Sequence, residues 1–315
     1  MYLSTPHSGS SGFSYGSCHC CPRQCGVDRT RQFGYCHSPA QAVAARAALH
    51  PWEEPCLSGL HGSGTIFFSG CTLRCCFCQN HKISWDGFGK PVSSKRLSEI
   101  ILELQDQGAH NINLVTATQY LPTLLEVLPS VKPRLSIPIV YNCGGYETIE
   151  AIDALAPYVD IWLPDLKYFS PDLSTRYSGA EDYFKIASAA ILRMIFHSGP
   201  PVFQDFREKN ASISLLQSGV LLRHMVLPGQ KEDSIRLLHW IHDTLPSGHF
   251  LLSLLSQYTP AHKSRLYPEL NRRLTRYEYE KVVDTALSLG LDQGFRQEKS
   301  SAREEYTPPF SLQGI

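Results

Sequence analysis

Nine of the eleven cysteines in this 315-residue chain fall into two short clusters, five between Cys18 and Cys36 and four between Cys71 and Cys78. Disulfide scaffolds of that density are usually small and secreted. This chain is long enough to bury a sizeable core. Met1–Ser17 has neither the basic start nor the apolar block of a secretory signal. The chain is therefore expected to be cytoplasmic, where clustered cysteines point to metal or redox chemistry.

Residues 1–17, rich in Ser and Gly, read as a disordered leader, and 18–60 as a Cys-rich metal-binding segment with little periodicity. From residue 61 the texture changes. Apolar runs at Thr65–Ser69, Ile112–Thr116, Ile137–Asn142, Asp160–Pro164, Val220–Leu227 and Phe250–Ser256 alternate with helix-like stretches. The helical stretches are Ser94–Gln107, Tyr120–Val127, Glu147–Ala156, Ala180–Phe196, Asp233–Thr244 and Arg276–Leu289. Six strands that are apolar throughout, each followed by a helix, predict an α/β fold with a parallel sheet buried on both faces. Pro200–Ser218 reads as an irregular insertion, residues 61–295 as the main domain and 296–315 as a polar tail.

Lys+Arg and Asp+Glu both number 29. Zero net charge speaks against a nucleic-acid or membrane-surface binder, whose affinity rests on excess positive charge. No apolar run approaches the ~18 residues that a membrane span needs.

The first apolar run ends in Gly70-Cys71-Thr72-Leu73-Arg74-Cys75-Cys76-Phe77-Cys78. Cys71-x3-Cys75-x2-Cys78 places three thiolates on one loop directly after a strand, enough to hold one face of an iron–sulfur cluster and leave one iron open. A zinc site, a redox dithiol and unligated buried thiols are the competing readings. Cys76 lies outside the spacing and reads as a packing residue.

This motif, with Phe77 inside it and Gln79-Asn80 after it, resembles the signature of radical S-adenosylmethionine (SAM) enzymes. Gly108–Thr116, Ile139–Tyr146, Leu163–Tyr168, Arg223–Gly229 and Tyr267–Arg273 resemble an uncharacterised branch related to pyruvate formate-lyase activating enzymes. The resemblance implies a partial (β/α)6 barrel whose active site lies at the C-terminal strand ends. It also implies a 4Fe-4S cluster whose open iron binds SAM. One electron then cleaves SAM to methionine and a deoxyadenosyl radical, which abstracts a hydrogen atom. The implied function is an oxidoreductase acting on a protein or small substrate, including activation of a glycyl-radical enzyme. The implied partners are a protein substrate bearing a glycine and an electron donor such as flavodoxin or ferredoxin. A radical SAM methyltransferase or RNA-modifying enzyme, and a non-enzymatic zinc-binding interaction protein, are the alternatives.

Asp165 and Lys167 follow the fourth run and resemble the SAM-contacting Asp-Leu-Lys of the activating enzymes. A carboxylate and an ammonium at i and i+2 suit the charged ends of SAM through charge-assisted bonds, although a strand-terminal salt bridge has the same sequence. Asn142, before Gly144-Gly145, suits a ribose or a carboxylate. Of Arg223 and His224 only one can face the interior, because side chains alternate along a strand; Arg223 is taken as the SAM contact. Gln257 and Tyr258 end the sixth strand and suit a cover over the substrate. The activating enzymes carry Gly-Gly-Glu after the second strand, whereas this chain has Thr116 and Thr118, which accept hydrogen bonds without charge.

Cys18-x2-Cys21-x3-Cys25-x10-Cys36 resembles the N-terminal cysteine motif of the same branch. Four thiolates suit zinc or a second iron–sulfur cluster, and a metal is the natural way to order so short and polar a segment.

Overall fold

The computed structural model describes residues 12–208, 211–296 and 308–315. Its strands are β1 (Ala42–His50), β2 (Ser63–Phe68), β3 (Lys90–Val92), β4 (Ile112–Val115), β5 (Ile139–Cys143), β6 (Ile161–Pro164), β7 (Val202–Glu208), β8 (Ala211–Met225), β9 (Leu251–Leu255) and β10 (Gly294–Arg296). Its α-helices are α1 (Pro55–Ser58), α2 (His81–Ser84), α3 (Ser94–Asp106), α4 (Leu121–Val131), α5 (Ile149–Leu155), α6 (Pro171–Ser178), α7 (Tyr183–Ser198), α8 (Lys231–Thr244) and α9 (Arg276–Ser288).

The six apolar runs become β2, β4, β5, β6, β8 and β9, which pair parallel with one another. Every residue of β2, β4, β5, β6 and β9 is buried, as runs with no polar alternation require. The sheet order is β10-β9-β8-β6-β5-β4-β2-β1-β3, with β7 paired to β8 off this path. The result is a partial (β/α)6 barrel. The helices bury one stripe each against it: in α3 the stripe is Leu97, Ile100, Ile101 and Leu104. At about 1.5–3 kcal/mol per fully buried aliphatic side chain, such stripes carry the packing. Ser93 starts α3 by accepting from the Arg96 N–H at 3.2 Å.

The sequence-based boundary at 60/61 does not divide the molecule. Ala42–His50, an Ala-rich stretch inside the expected Cys-rich segment, is β1, antiparallel to β2 and to β3 in the same sheet. The cysteine-bearing residues before it pack on the loop after β2. Arg23 donates to the carbonyls of Thr72 and Gly179 at 2.8 and 2.7 Å, and the Cys71 N–H donates to the Cys36 carbonyl at 3.3 Å. Arg29 is buried and satisfied by the carbonyls of Ser38, Pro39 and Gln119. Of the expected leader, residues 1–11 lie outside the described residues. Within 12–17, Tyr15 Oη lies 2.7 Å from Thr123 Oγ1 on α4, so this part is packed.

Two further expectations are corrected. Pro200–Ser218 is no irregular insertion: β7 and the first half of β8 form an antiparallel hairpin, with β8 turning into the barrel at Gly219. The tail is partly built in. Leu312 N–H donates to the Ala45 carbonyl and Ala47 N–H to the Gln313 carbonyl, tying a C-terminal turn to β1 beyond the end of its pairing with β3. Phe310 packs edge-on against Phe67, at 5.6 Å between centroids, in a small core with Ala45, Ile83 and Val115. Residues 297–307 of that tail lie outside the described residues.

Candidate active site

The C-terminal ends of the parallel strands surround a cavity of about 260 Å3. Four strand ends send charged or polar groups into it: Thr116 after β4, Asn142 from β5, Asp165 and Lys167 after β6, and Arg223 from β8. Gln257 and Tyr258, past β9, and Pro308 of the C-terminal segment complete the wall.

Cys71, Cys75 and Cys78 line the same cavity. Gly70 makes the turn into their loop with a φ of +83°, and a Cβ there would meet Ser38 Oγ at 1.9 Å, so glycine is required. Each thiol has a polar neighbour. Cys71 Sγ accepts from the Leu73 N–H at 3.4 Å, Cys75 Sγ accepts from Ser178 Oγ at 3.0 Å, and Cys78 Sγ lies 3.2 Å from Ser84 Oγ. Burial, then the neighbouring Cys75, pushes Cys71 up to about 12 and Cys78 up to about 11. Cys76 turns away; it is buried, and its N–H donates to the Tyr177 carbonyl at 2.7 Å. Among the described residues, no three His, Cys, Asp or Glu side chains gather as a single metal ion requires. A cubane distributes its thiolates over separate irons, so its ligands need only face one space from one loop, as these three do.

Asp165 is the centre of the charged group. It accepts from Lys167 Nζ at 2.5 Å and from Arg223 Nε at 2.9 Å. Burial opposes its ionisation, but the two cations outweigh that and hold it below the usual carboxylate range. Arg223 also donates to Asn142 Oδ1 at 2.5 Å and to Glu53 Oε2 at 3.3 Å. His224 points the other way, to the Leu166 carbonyl at 2.7 Å and Ser234 Oγ at 2.8 Å, as alternation requires. Behind the group stands Tyr183 of α7. Its one hydroxyl proton lies between the carbonyls of Asp165 and Gly144, and its oxygen accepts from the Lys167 N–H, all within 2.8–3.0 Å. Gly145, with φ +76°, lets these two strand ends close up: a Cβ would sit 2.3 Å from the Asp165 carbonyl.

One expected residue lies elsewhere. Thr116 takes a left-handed φ of +57° and the chain enters a 3-10 turn at Thr118–Tyr120. Thr118 is thereby carried out of the cavity, and its hydroxyl donates to Glu147 at 2.6 Å. Glu147 is buried with Tyr141 Oη at 3.4 Å, and burial raises its carboxyl to about 8. Sequence reasoning also missed Glu53. It reaches the cavity floor from the loop before α1, where Asn113 Nδ2 donates to it at 3.0 Å. Burial raises its pKa against the pull of Arg223. Its two-residue acidic run, Glu53-Glu54, just before a Pro-initiated turn, was the available signal.

In the N-terminal segment Cys18, Cys20, Cys21 and Cys36 are buried and Cys25 is partly so. The neighbouring Cys20 thiol, with help from the Arg29 guanidinium at 3.8 Å, holds Cys18 below the usual thiol range. Cys36 and Cys18 both raise Cys21 electrostatically, after burial.

Residues 65–241, more than half of the chain, match the radical SAM superfamily. The chain belongs to that superfamily. Members of this radical SAM superfamily use a 4Fe-4S cluster and SAM. The chain is 29% identical over 288 residues to the uncharacterized protein MJ0674 of Methanocaldococcus jannaschii, covering 88% of this chain and 76% of that protein. Among solved structures, methylornithine synthase PylB superposes with a TM-score of 0.49 at 14% identity, covering 85% of this chain and 66% of that one. QueE from Escherichia coli gives 0.45 at 12% identity over 82% and 94%, respectively. The SAM-bound SuiB of Streptococcus suis gives 0.49 at 12% identity over 72% of this chain, which spans 48% of the SuiB length. These structural likenesses are distant, and the radical SAM assignment rests on the sequence match. Among the described residues, no helix is long and apolar enough to cross a membrane.

Proposed function

We propose that Cys71, Cys75 and Cys78 hold the 4Fe-4S cluster, that SAM binds in the adjoining cavity, and that the enzyme abstracts a hydrogen atom from a protein or small substrate. The observation that carries this reading is the convergence of the three thiols with Asn142, Asp165, Lys167 and Arg223 on one cavity. When bound, the cluster and SAM supply the one-electron cleavage that generates the abstracting radical.

The protein's own residues bind and orient. Lys167 and Arg223 offer cations to a carboxylate, while Asp165 and Asn142 offer oxygens to an ammonium or to ribose hydroxyls. Thr116 adds an uncharged acceptor at the cavity rim; Thr118, bonded to Glu147, has no part in it. Tyr183 fixes both strand ends, so the charges are set before any ligand enters. Phe77 packs edge-on against Tyr258 at 6.0 Å and forms an apolar wall that excludes water.

The finer reading is an activating enzyme for a glycyl-radical protein, working in the cytoplasm with a one-electron donor such as flavodoxin or ferredoxin. The motifs shared with the activating-enzyme branch support it. Cys18, Cys21, Cys25 and Cys36 are read as a second site for zinc or a second cluster. Anaerobic reconstitution with iron and sulfide, followed by SAM and dithionite, tests the main reading. Deoxyadenosine is the expected product; a colourless protein that leaves SAM intact overturns it.

A further inference from the structure

Arg223 is held on three sides, and one of its holders comes from outside the strand ends. Its Nε donates to Asp165 after β6 and its Nη2 to Asn142 on β5, but its Nη1 donates to Glu53 Oε2 at 3.3 Å. Glu53 lies in the loop between β1 and α1, and its side chain is only 10% exposed. SAM binding by Asn142, Asp165, Lys167 and Arg223 leaves this buried carboxylate without a role.

The loop that carries Glu53 is fixed from below. Cys56 and Leu57 of α1 pack among Val140, Leu163 and Leu221. Asn111, just before β4, donates through Nδ2 to the Leu57 carbonyl at 2.8 Å, so α1 sits at the N-terminal ends of the parallel strands. Ser58 Oγ donates to the Glu53 carbonyl at 3.2 Å. From there the Glu53 side chain reaches the cavity.

Three side chains close a ring. Arg223 donates to Glu53 Oε2 and to Asn142 Oδ1, and Asn142 Nδ2 donates back to Glu53 Oε1 at 3.5 Å. Asn113 Nδ2 adds a second donor to Oε1 at 3.0 Å. Arginine has donors only, so Asn142 must turn its oxygen towards Arg223, and its NH2 group then needs an acceptor. Glu53 is that acceptor. Asn142 is buried, and a buried donor left without a partner is costly. Glu53 thus sets both the flip of the Asn142 amide and the plane of the Arg223 guanidinium.

We infer that Glu53 is a positioning residue for SAM binding, acting through Arg223 and Asn142, which it holds in the rotamers that face the ligand. The inference rests on the reading of this cavity as the SAM site. A carboxylate suits the task because both of its oxygens accept, whereas a carboxamide accepts at one end only.

The test measures the SAM affinity of the reconstituted full chain by equilibrium dialysis without reductant, so that no turnover enters. Glu53→Gln keeps the side-chain length and removes one acceptor and the charge. Its Kd for SAM is expected to rise about tenfold, the equivalent of one charge-assisted bond, with the cluster absorbance retained. Arg223→Lys keeps a cation and lacks the fork that Glu53 holds. In that background Glu53→Gln is expected to add less than about twofold, because the two residues act as one unit. Asn113→Ala leaves the carboxylate in place and removes its shortest donor; it is expected to weaken SAM binding about threefold. An unchanged Kd in Glu53→Gln overturns the inference, and where that variant does not fold, an unchanged Kd in Asn113→Ala does so. A full further loss of about tenfold in the Arg223→Lys background also overturns it, since Glu53 would then act independently of Arg223. A wild-type protein that assembles the cluster and binds no SAM overturns the function reading itself and takes this inference with it.

Discussion

Arg223 holds the Asp165-Leu166 strand end twice: its Nε donates to Asp165 Oδ1 at 2.9 Å, and its carbonyl accepts from the Leu166 N–H at 2.8 Å. The side-chain pair is thus built on a backbone bridge between the ends of β6 and β8. Lys167 completes a group of two cations around one carboxylate, with each side chain less than a quarter exposed. Such a group is expensive to leave incomplete, and its geometry is set by strands rather than by mobile loops.

Asp165→Asn removes the one anion that Lys167 and Arg223 share. The apoprotein should lose roughly 3–5 kcal/mol of stability, the cost of breaking a buried pair. The reconstituted protein should bind SAM about 10–100-fold more weakly, through the loss of a charge-assisted bond. Denaturant unfolding and equilibrium dialysis read the two effects separately. A stability loss with unchanged SAM affinity would assign the group to the scaffold alone.

Alanine at Cys71, Cys75 or Cys78 should abolish the brown chromophore of the SAM-binding cluster and with it SAM cleavage. Cys76→Ala should keep both, because Cys76 lies outside the cavity and serves packing. Absorption spectra of the four reconstituted variants decide; equal loss at Cys76 would show that the ligand spacing is wrong.

Glu147 carries a pH signature. Its folded pKa of about 8 lies above the ordinary 4.5 because burial disfavours its charge. Between these values the folded state holds a proton that the unfolded state has released, so stability falls as pH rises from about 5 to 8. It levels off above the folded pKa. Glu147→Gln keeps the buried side chain neutral and should flatten this part of the profile. Urea midpoints at pH 5.5, 7 and 8.5 for both proteins provide the check, and parallel profiles would refute the raised pKa.

Much of the barrel was legible because its strands are short apolar runs closed by Gly, Pro or polar residues, and burial on both faces leaves no other pattern. Alternation along β8 correctly sent Arg223 inward and His224 outward. The misses share a cause: the deciding contact is distant in sequence. β1 is Ala-rich and gains its identity from pairing with β2. The β7–β8 hairpin exposes Phe203 and Phe206, so its backbone ladder has no hydrophobic pattern to announce it. Glu53 enters the cavity from a loop far from the strand ends it joins. Thr118 was misplaced because a left-handed Thr116 turns the chain one residue too early for strand alternation to apply.

The C-terminal segment should prove structural. Phe310→Ala opens a hole against Phe67 and should cost roughly 3 kcal/mol. Deleting residues 308–315 also removes Pro308 from the cavity wall, so the thiols of the apoprotein should alkylate faster with iodoacetamide. Mass spectrometry of the labelled peptides reads this directly. Unchanged labelling of Cys71, Cys75 and Cys78 in the truncated protein would mean that the segment shields nothing.

The N-terminal cysteines provide the last prediction. Cys18, Cys21, Cys25 and Cys36 lie in a segment with few apolar side chains, and Cys36 is tied through its carbonyl to the Cys71 N–H. Thiolate sites in such segments supply folding energy directly. A triple Cys71/Cys75/Cys78→Ala protein, purified anaerobically, should therefore retain metal. Zinc would make the segment a clamp that holds Arg23 against the Thr72 and Gly179 carbonyls. Iron with sulfide would make it a second cluster beside the first, placed to pass electrons inward. The spacing suits zinc; among the described residues the four thiols do not gather on one point, so zinc would have to draw them together. A further Cys21→Ala change should release the metal and loosen the loop after β2, seen as faster amide exchange at residues 71–78. A triple variant free of both zinc and iron would refute the site and leave Arg23, Arg29 and their carbonyl partners as what orders the segment.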